Sequence, residues 1–319
     1  MPRIGTSDLD VFPLALGGNV FGWTADRDES FAVLDAFRAG GGNLIDTADS
    51  YSAWKEGHTG GESETIIGEW LASRGLRAGE DVIVATKVSQ HPQFRGLAAS
   101  NVRAAAEASI ARLGVDAIDL YYAHFDDAET PLEETVAAFG QLVTDGLVRC
   151  TAVSNYTSDR IREWVRIARE LGVAEPVAVQ PHYNLVHRDI EADIIPTALE
   201  LNLGVVPYFA LAKGFLTGKY RSPEVDDQPS PRAKAAAAYA TPQGLLILDA
   251  LERIAGAHDV SMAAVSLAWL RSKAGVVAPI ASASKVSQVP DLLDGARLDL
   301  TAEELAELDE VSEWTPTDM

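Results

Sequence analysis

A carboxylate, a phenol, an ammonium and an imidazole, at Asp46, Tyr51, Lys87 and His124, make a set that could protonate a carbonyl oxygen as a hydride reaches its carbon. A free phenol titrates near pH ~10 and is a reluctant acid at neutrality. A nearby ammonium stabilises the phenolate and lowers that pKa, while a carboxylate beside the ammonium holds it in place. Singly, each residue has a plainer reading: a Tyr after a strand often packs, Asp-Thr often caps a turn, and a lone His is commonly structural. The spacing sets these four apart. Asp46 ends the apolar run Asn43-Leu44-Ile45-Asp46, with Tyr51 five residues on, and Lys87 ends Val82-Ile83-Val84-Ala85-Thr86-Lys87. His124 ends Ile118-Asp119-Leu120-Tyr121-Tyr122-Ala123-His124.

Short runs rich in Val and Ile read as buried parallel strands. Eight such runs occur, near residues 14–18, 43–47, 82–87, 118–124, 148–154, 177–181, 204–209 and 276–281, and helix-like segments follow them. This alternation predicts an α/β chain folded as a single (β/α)8 TIM barrel, one domain over 1–319, with the C-terminal strand ends gathered at one mouth. A Rossmann sheet is disfavoured, because Leu16-Gly17-Gly18-Asn19 is not a G-x-G-x-x-G loop. Expected helix starts are Thr130 with Pro131 and Glu133, Thr301 with Glu304, Ser100 and Ser158; expected ends are Gly114 and Gly172. The irregular stretch from Lys213 to Pro242, with Ser222-Pro223 and Ser230-Pro231, reads as a lid or binding loop whose Ala235–Ala238 run is helix. Trp54 to Gly61 is a second candidate mobile loop.

Of 319 residues, 26 are basic and 47 acidic, a formal charge of −21, with no Lys/Arg cluster of the kind a nucleic acid requires. The single cysteine, Cys150, excludes an intrachain disulfide and reads as buried packing. No metal is expected: there is no His-x3-His and no cysteine cluster, and His182 and His187 read as loop residues. The N-terminus lacks an apolar signal segment, and no run reaches the ~18 apolar residues of a membrane span. The expectation is a cytoplasmic, soluble chain with no membrane or nucleic-acid partner; nothing in the sequence signals an oligomeric state.

Six motifs occur in register: Asn43-Leu-Ile-Asp-Thr-Ala-Asp-Ser-Tyr51, Ala85-Thr-Lys87, Ile118-Asp-Leu-Tyr-Tyr-Ala-His124, Val153-Ser-Asn155, Gln180 with Tyr183-Asn184, and Gly214-Phe-Leu-Thr-Gly-Lys219. Together they resemble the aldo-keto reductase family over essentially the whole chain. The resemblance implies an NADPH-dependent reduction of a small aldehyde or ketone, reversible, with Tyr51 as general acid, Lys87 tuning it and Asp46 anchoring Lys87. His124 would hydrogen-bond the substrate carbonyl or help Tyr51 relay its proton.

The resemblance also implies cofactor contacts. Ser154, Asn155 and Gln180 match the trio that holds the nicotinamide carboxamide, and Tyr208 the aromatic on which the ring stacks. Phe209, Ala210, Leu211, Ala212 and Gly214, continuing to Lys219, match the loop around the pyrophosphate, and Gly18, Asn19 and Asp46 are further expected cofactor contacts. Ser282, Ser284, Lys285 and Gln288 match the segment that cradles the adenosine 2′-phosphate, which favours NADP(H) over NAD(H). Three departures stand out: Ser282 where the family often has glycine, Leu292 at an adenine-contacting asparagine position, and Tyr208-Phe209-Ala210 for the usual Tyr-Ser-Pro. Trp23, Trp54 and Phe125 are candidate substrate-pocket residues from their positions near strand ends. The alternatives are a nucleotide-sugar ketoreductase, or a cofactor-binding regulatory or redox-sensing subunit like the potassium-channel β subunits.

Overall fold

Side chains alternate across an extended strand, and here both faces of each strand are apolar, so the sheet must be covered on both sides. A computed structural model, describing residues 1–222 and 232–313, shows how this is met. The barrel strands are β1 (Ala15–Gly17), β2 (Leu44–Asp46), β3 (Ile83–Val88), β6 (Ile118–Ala123), β7 (Val148–Ser154), β8 (Pro176–Gln180), β9 (Gly204–Val205) and β10 (Ile280–Ala281). All pair in parallel in the order β10-β1-β2-β3-β6-β7-β8-β9. A parallel bridge between Val205 and Val276 closes the ring. Val205 N donates to Gly275 O and Val277 N to Val205 O, both at 2.9 Å. The chain is a (β/α)8 barrel, and all eight expected strands are present.

One phase of the strands, including Leu44, Ile83, Ala85, Leu120, Tyr122, Ala152 and Ala178, fills the barrel interior. The other, including Ile45, Val84, Tyr121, Val153 and Val179, packs against the helices. Ile4, Leu9 and Val11 join the interior cluster and plug the end away from the mouth. Gly5 makes this turn possible. Its φ is +49°, and a Cβ there would lie 2.2 Å from Val177 O.

The interior phase also places the chemistry. Asp46 is two residues beyond Leu44, Lys87 continues Ile83 and Ala85, and His124 continues Leu120 and Tyr122. Parity alone therefore turns all three inward, and register puts Asp46 opposite Ala85 and Lys87 opposite Tyr122.

Several local expectations are corrected. Helix α4 (Leu132–Thr144) starts after Pro131, and Thr130 does not cap it: its hydroxyl donates to Asp127 Oδ2 at 2.8 Å. Helix α3 (Ala99–Leu113) begins before Ser100, after Ala98. Helix α5 (Ser158–Leu171) is capped by Thr157, whose extended backbone lets its hydroxyl accept from Arg160 N, while Ser158 is already helical. The Thr301–Glu304 capping box is present on α11 (Ala302–Val311), and Gly114 and Gly172 end their helices in the left-handed conformation. A short hairpin, β4 (Gln90–His91) with β5 (Phe94–Arg95), was not anticipated. At the start of the stretch read as loop, Ala212–Thr217 is 3-10-like but broken by a kink at Lys213 and Gly214, whose φ angles are +58° and +102°, and further on Ala233–Ala237 is helix α7. Pro223, Ser230 and Pro231 lie outside the described residues. Cys150 is half-buried beside the barrel interior, and burial pushes its thiol pKa up to about 11. Among the described residues no helix is long and apolar enough to cross a membrane.

Candidate active site

A cavity of about 800 Å3 opens at the C-terminal mouth of the barrel. Asp46, Tyr51, His124, Asn155, Gln180 and Tyr208 lie on its walls, with Lys87 buried directly behind them. The Lys87 ammonium uses all three of its donors: Asp46 Oδ2 at 2.7 Å, Thr47 O at 2.6 Å and Tyr51 Oη at 3.3 Å. The second oxygen of Asp46 accepts from Gln180 Nε2 at 2.8 Å. A buried ion pair is secure only when its remaining hydrogen-bonding capacity is also used, and here it is.

The electrostatics depart from expectation at one point. Burial pushes the Tyr51 phenol pKa above its ordinary value, and Lys87 pulls it back only in part. Burial also disfavours the Lys87 charge, but Asp46 and Tyr51 outweigh it and hold the ammonium's pKa above normal. Burial, with Lys87 adding repulsion, drives His124 well below the usual histidine range, so at neutrality it is an uncharged imidazole with one N–H to offer. Its ring lies 6.2 Å from that of Tyr51, and Nδ1 has no hydrogen-bond partner among the described residues.

The other expected residues fall into three groups. Asn155 is held at φ +58°, a conformation that costs a non-glycine residue free energy and clusters at functional sites. It is gripped on three sides: Nδ2 donates to His124 O and Ser154 Oγ, and Oδ1 accepts from Tyr208 Oη at 2.7 Å. Ser154 is fully buried, and its hydroxyl donates to Gln180 O. Next, Phe209, Ala212, Lys213 and Gly214 all have positive φ, and the step from Leu211 at φ −105° to Ala212 at φ +46° is the right-to-left-handed alternation that makes anion-binding nests. Phe209, Ala210, Leu211, Gly214 and Lys219 line the cavity, while Ala212 is buried beneath the turn. Last, Asn19, Ser282, Ser284 and Gln288 line the far wall. Gln288 Oε1 accepts from Ser284 N at 2.8 Å and Lys285 N at 3.2 Å, and the exposed Lys285 sits at the rim without lining the cavity. Gly18 is also off the wall, its amide donating to Asp46 O at 2.7 Å. The Ser282 departure has a local answer: its hydroxyl donates to Asn19 Oδ1 at 2.8 Å, over Gly17, where a Cβ would lie 2.5 Å from Ser282 Oγ.

Trp23, Trp54 and Phe125 all line the cavity. Trp54 packs edge-on to Trp23 and Tyr51. Sequence reasoning missed Arg232, which reaches the same cavity with its guanidinium 5.2 Å over the Trp23 ring. Its one signal is that it is the first basic residue after an acidic, proline-containing stretch.

Beside this site Asp49 is fully buried, and among the described residues no side chain hydrogen-bonds its carboxylate. Burial, reinforced by Glu64, raises its pKa well above the ordinary value, against the pull of Arg112, the Ser50 amide and Lys87. An unfolded Asp titrates near ~3.9, so folding takes up a proton above that pH. Asp49's contribution to stability is therefore full below pH ~4 and is lost as pH rises toward the folded value. Asp49→Asn should gain stability relative to the parent as pH is raised, read by urea unfolding at pH 5 and pH 9. A gap unchanged with pH would show that Asp49 is ionised in the fold.

Comparison with known proteins agrees with this geometry. The profile of the Aldo/keto reductase family matches residues 13–313. Aldo-keto reductase str7 of Strobilurus tenacellus is 32 % identical over 317 residues, covering 98 % of this chain and 89 % of that protein. Norsolorinic acid reductase B of Aspergillus parasiticus is 29 % identical, covering 97 % and 83 %. A probable voltage-gated potassium channel subunit beta of Oryza sativa subsp. japonica is 31 % identical, covering 90 % and 88 %. A parallel eight-stranded barrel, a buried Asp–Lys pair reaching a tyrosine at its mouth, and a match over nearly the whole length lead to one assignment: the chain belongs to the aldo/keto reductase family.

Proposed function

We propose that the protein is an NADP(H)-dependent carbonyl reductase, interconverting an aldehyde or ketone and its alcohol. The observation that carries this reading is the chain Asp46–Lys87–Tyr51, linked at 2.7 and 3.3 Å and ending in the cavity. The nicotinamide would supply the hydride. Tyr51 donates the proton to the carbonyl oxygen, and the phenolate left behind is stabilised by the Lys87 ammonium. The neutral His124 directs its N–H at the same oxygen. Ser154, Asn155 and Gln180 present hydroxyl and amide groups suited to a carboxamide, which is both donor and acceptor. The left-handed turn over Phe209–Gly214 fits a pyrophosphate: the amides of Ala210 and Leu211 donate to no protein acceptor among the described residues.

Lys285, next to Ser284 and the Gln288 clasp, is the group proposed to read the 2′-phosphate. Lys285→Ala removes a charged hydrogen bond, so NADPH should bind about ten- to a hundred-fold more weakly while NADH is nearly unchanged. Equal losses for both would remove this assignment.

The test of the activity is initial rates with NADPH over a panel of aldehydes, ketones and sugars. Turnover of reactive carbonyls is expected. The rice relative's name motivates a second reading, a cofactor-binding regulatory subunit. Tight NADPH binding with no turnover across the panel would favour it.

A further inference from the structure

Tyr208 is fixed at its tip: its hydroxyl donates to Asn155 Oδ1 at 2.7 Å. That oxygen lies on the axis about which the ring turns, so the bond cannot by itself stop the ring from rocking. The restraint comes from behind. His182 and Tyr208 are bridged through their backbones as parallel neighbours, and their rings stack with centroids 5.4 Å apart and planes 15° apart. On the next face His187 stacks on His182 at 3.8 Å and 15°, and Phe209 closes the side edge-on at 5.4 Å. Of the three stacked rings only Tyr208 lines the cavity.

Each ring in the column has its own anchor. Asn184 Nδ2 lies 3.2 Å from His182 Nε2 and donates to Phe209 O at 2.9 Å. His187 Nε2 lies 2.9 Å from Asp189. Burial, with His187 and Lys213 adding repulsion, lowers the His182 pKa to about 3, so the ring touching Tyr208 carries no charge across the working pH range.

From this column we infer that His182, backed by His187, is a positioning residue that sets the plane of Tyr208 and thereby the plane of a nicotinamide stacked on it. The inference rests on the NADP(H) reading and adds residues that touch neither cofactor nor substrate. A stacked aromatic contact contributes beyond its buried area, and hydride transfer depends steeply on the aim of the donor carbon. Loosening the platform should therefore affect the nicotinamide half of the cofactor and leave the adenosine half alone.

The test compares parent, His182→Ala and His182→Phe. Two ligands are titrated calorimetrically: NADPH, and 2′-phospho-ADP-ribose, which lacks the nicotinamide. His182→Ala should weaken NADPH about three- to ten-fold with 2′-phospho-ADP-ribose unchanged. Single-turnover reduction at saturating NADPH should be slower in the same variant. His182→Phe, which restores a flat ring, should recover both. Equal loss for the two ligands, no loss for NADPH, or a Phe variant no better than Ala would overturn the positioning role. A parent that binds neither ligand would instead remove the cofactor reading, and this inference with it.

Discussion

Tyr51→Phe is expected to slow single-turnover carbonyl reduction by a factor of about 10²–10⁴, the usual cost of removing a general acid. NADPH affinity should stay close to the parent's. The substitution keeps the ring, which packs against Trp54 and faces His124, and deletes the hydroxyl that Lys87 reaches at 3.3 Å. The nicotinamide contacts proposed for Ser154, Asn155, Gln180 and Tyr208 are untouched. The pH profile adds a second readout. Reduction needs the protonated phenol, and burial raises the Tyr51 pKa, so the parent should hold its reductive rate through neutrality and lose it only under alkaline conditions. The variant should lack that alkaline limb. Fluorescence titration and stopped-flow measurement on the same samples check both, and an unchanged single-turnover rate would end Tyr51's assignment as the acid.

Lys87→Met should be the most damaging single change to stability in the site. It leaves the Asp46 carboxylate buried without its cation, a situation that typically costs about 3–5 kcal/mol. The Gln180 amide still donates to the other oxygen, but one neutral donor does not replace a cation. Activity should fall as well, because the phenolate formed on proton transfer loses its stabilising charge. Folding and chemistry can be separated by the double variant Asp46→Asn/Lys87→Met, which removes both charges. It should recover a large part of the stability lost in Lys87→Met, measured by urea denaturation, and none of the activity. A double variant no more stable than Lys87→Met would show that the unpaired carboxylate is not the source of the damage.

How far these features could be read before folding differs from residue to residue. The eight strands and the inward placement of Asp46, Lys87 and His124 follow from a period-two pattern, which survives burial because parity depends only on counting. Helix starts were less legible. Ser100 and Thr130 have capping side chains but lie away from the backbone position that caps, and Thr157 takes the role expected of Ser158. Lys87 does stabilise the Tyr51 phenolate, as its position near Tyr51 suggested, but the sign of the net shift depends on burial, which no motif states. Arg232 enters the cavity from within the long excursion between β9 and β10, just ahead of helix α7. The His182 column exists only because the segments after β8 and β9 run side by side.

The hydrogen bond from Ser282 to Asn19 joins residues 263 positions apart, across the seam where β1 meets β10. Contacts so distant in sequence carry a large loop-closure entropy cost, and they slow folding. The far wall of the cavity therefore does not exist on a nascent chain until Ser282 has left the ribosome. Any ligand bridging that wall and the Phe209–Gly214 turn would also act as a clasp on the barrel, binding the closed ring and not the open one. By mass action its concentration would raise the apparent melting temperature. Cofactor supply in the cell would then influence how long the folded protein persists, apart from how fast it turns over.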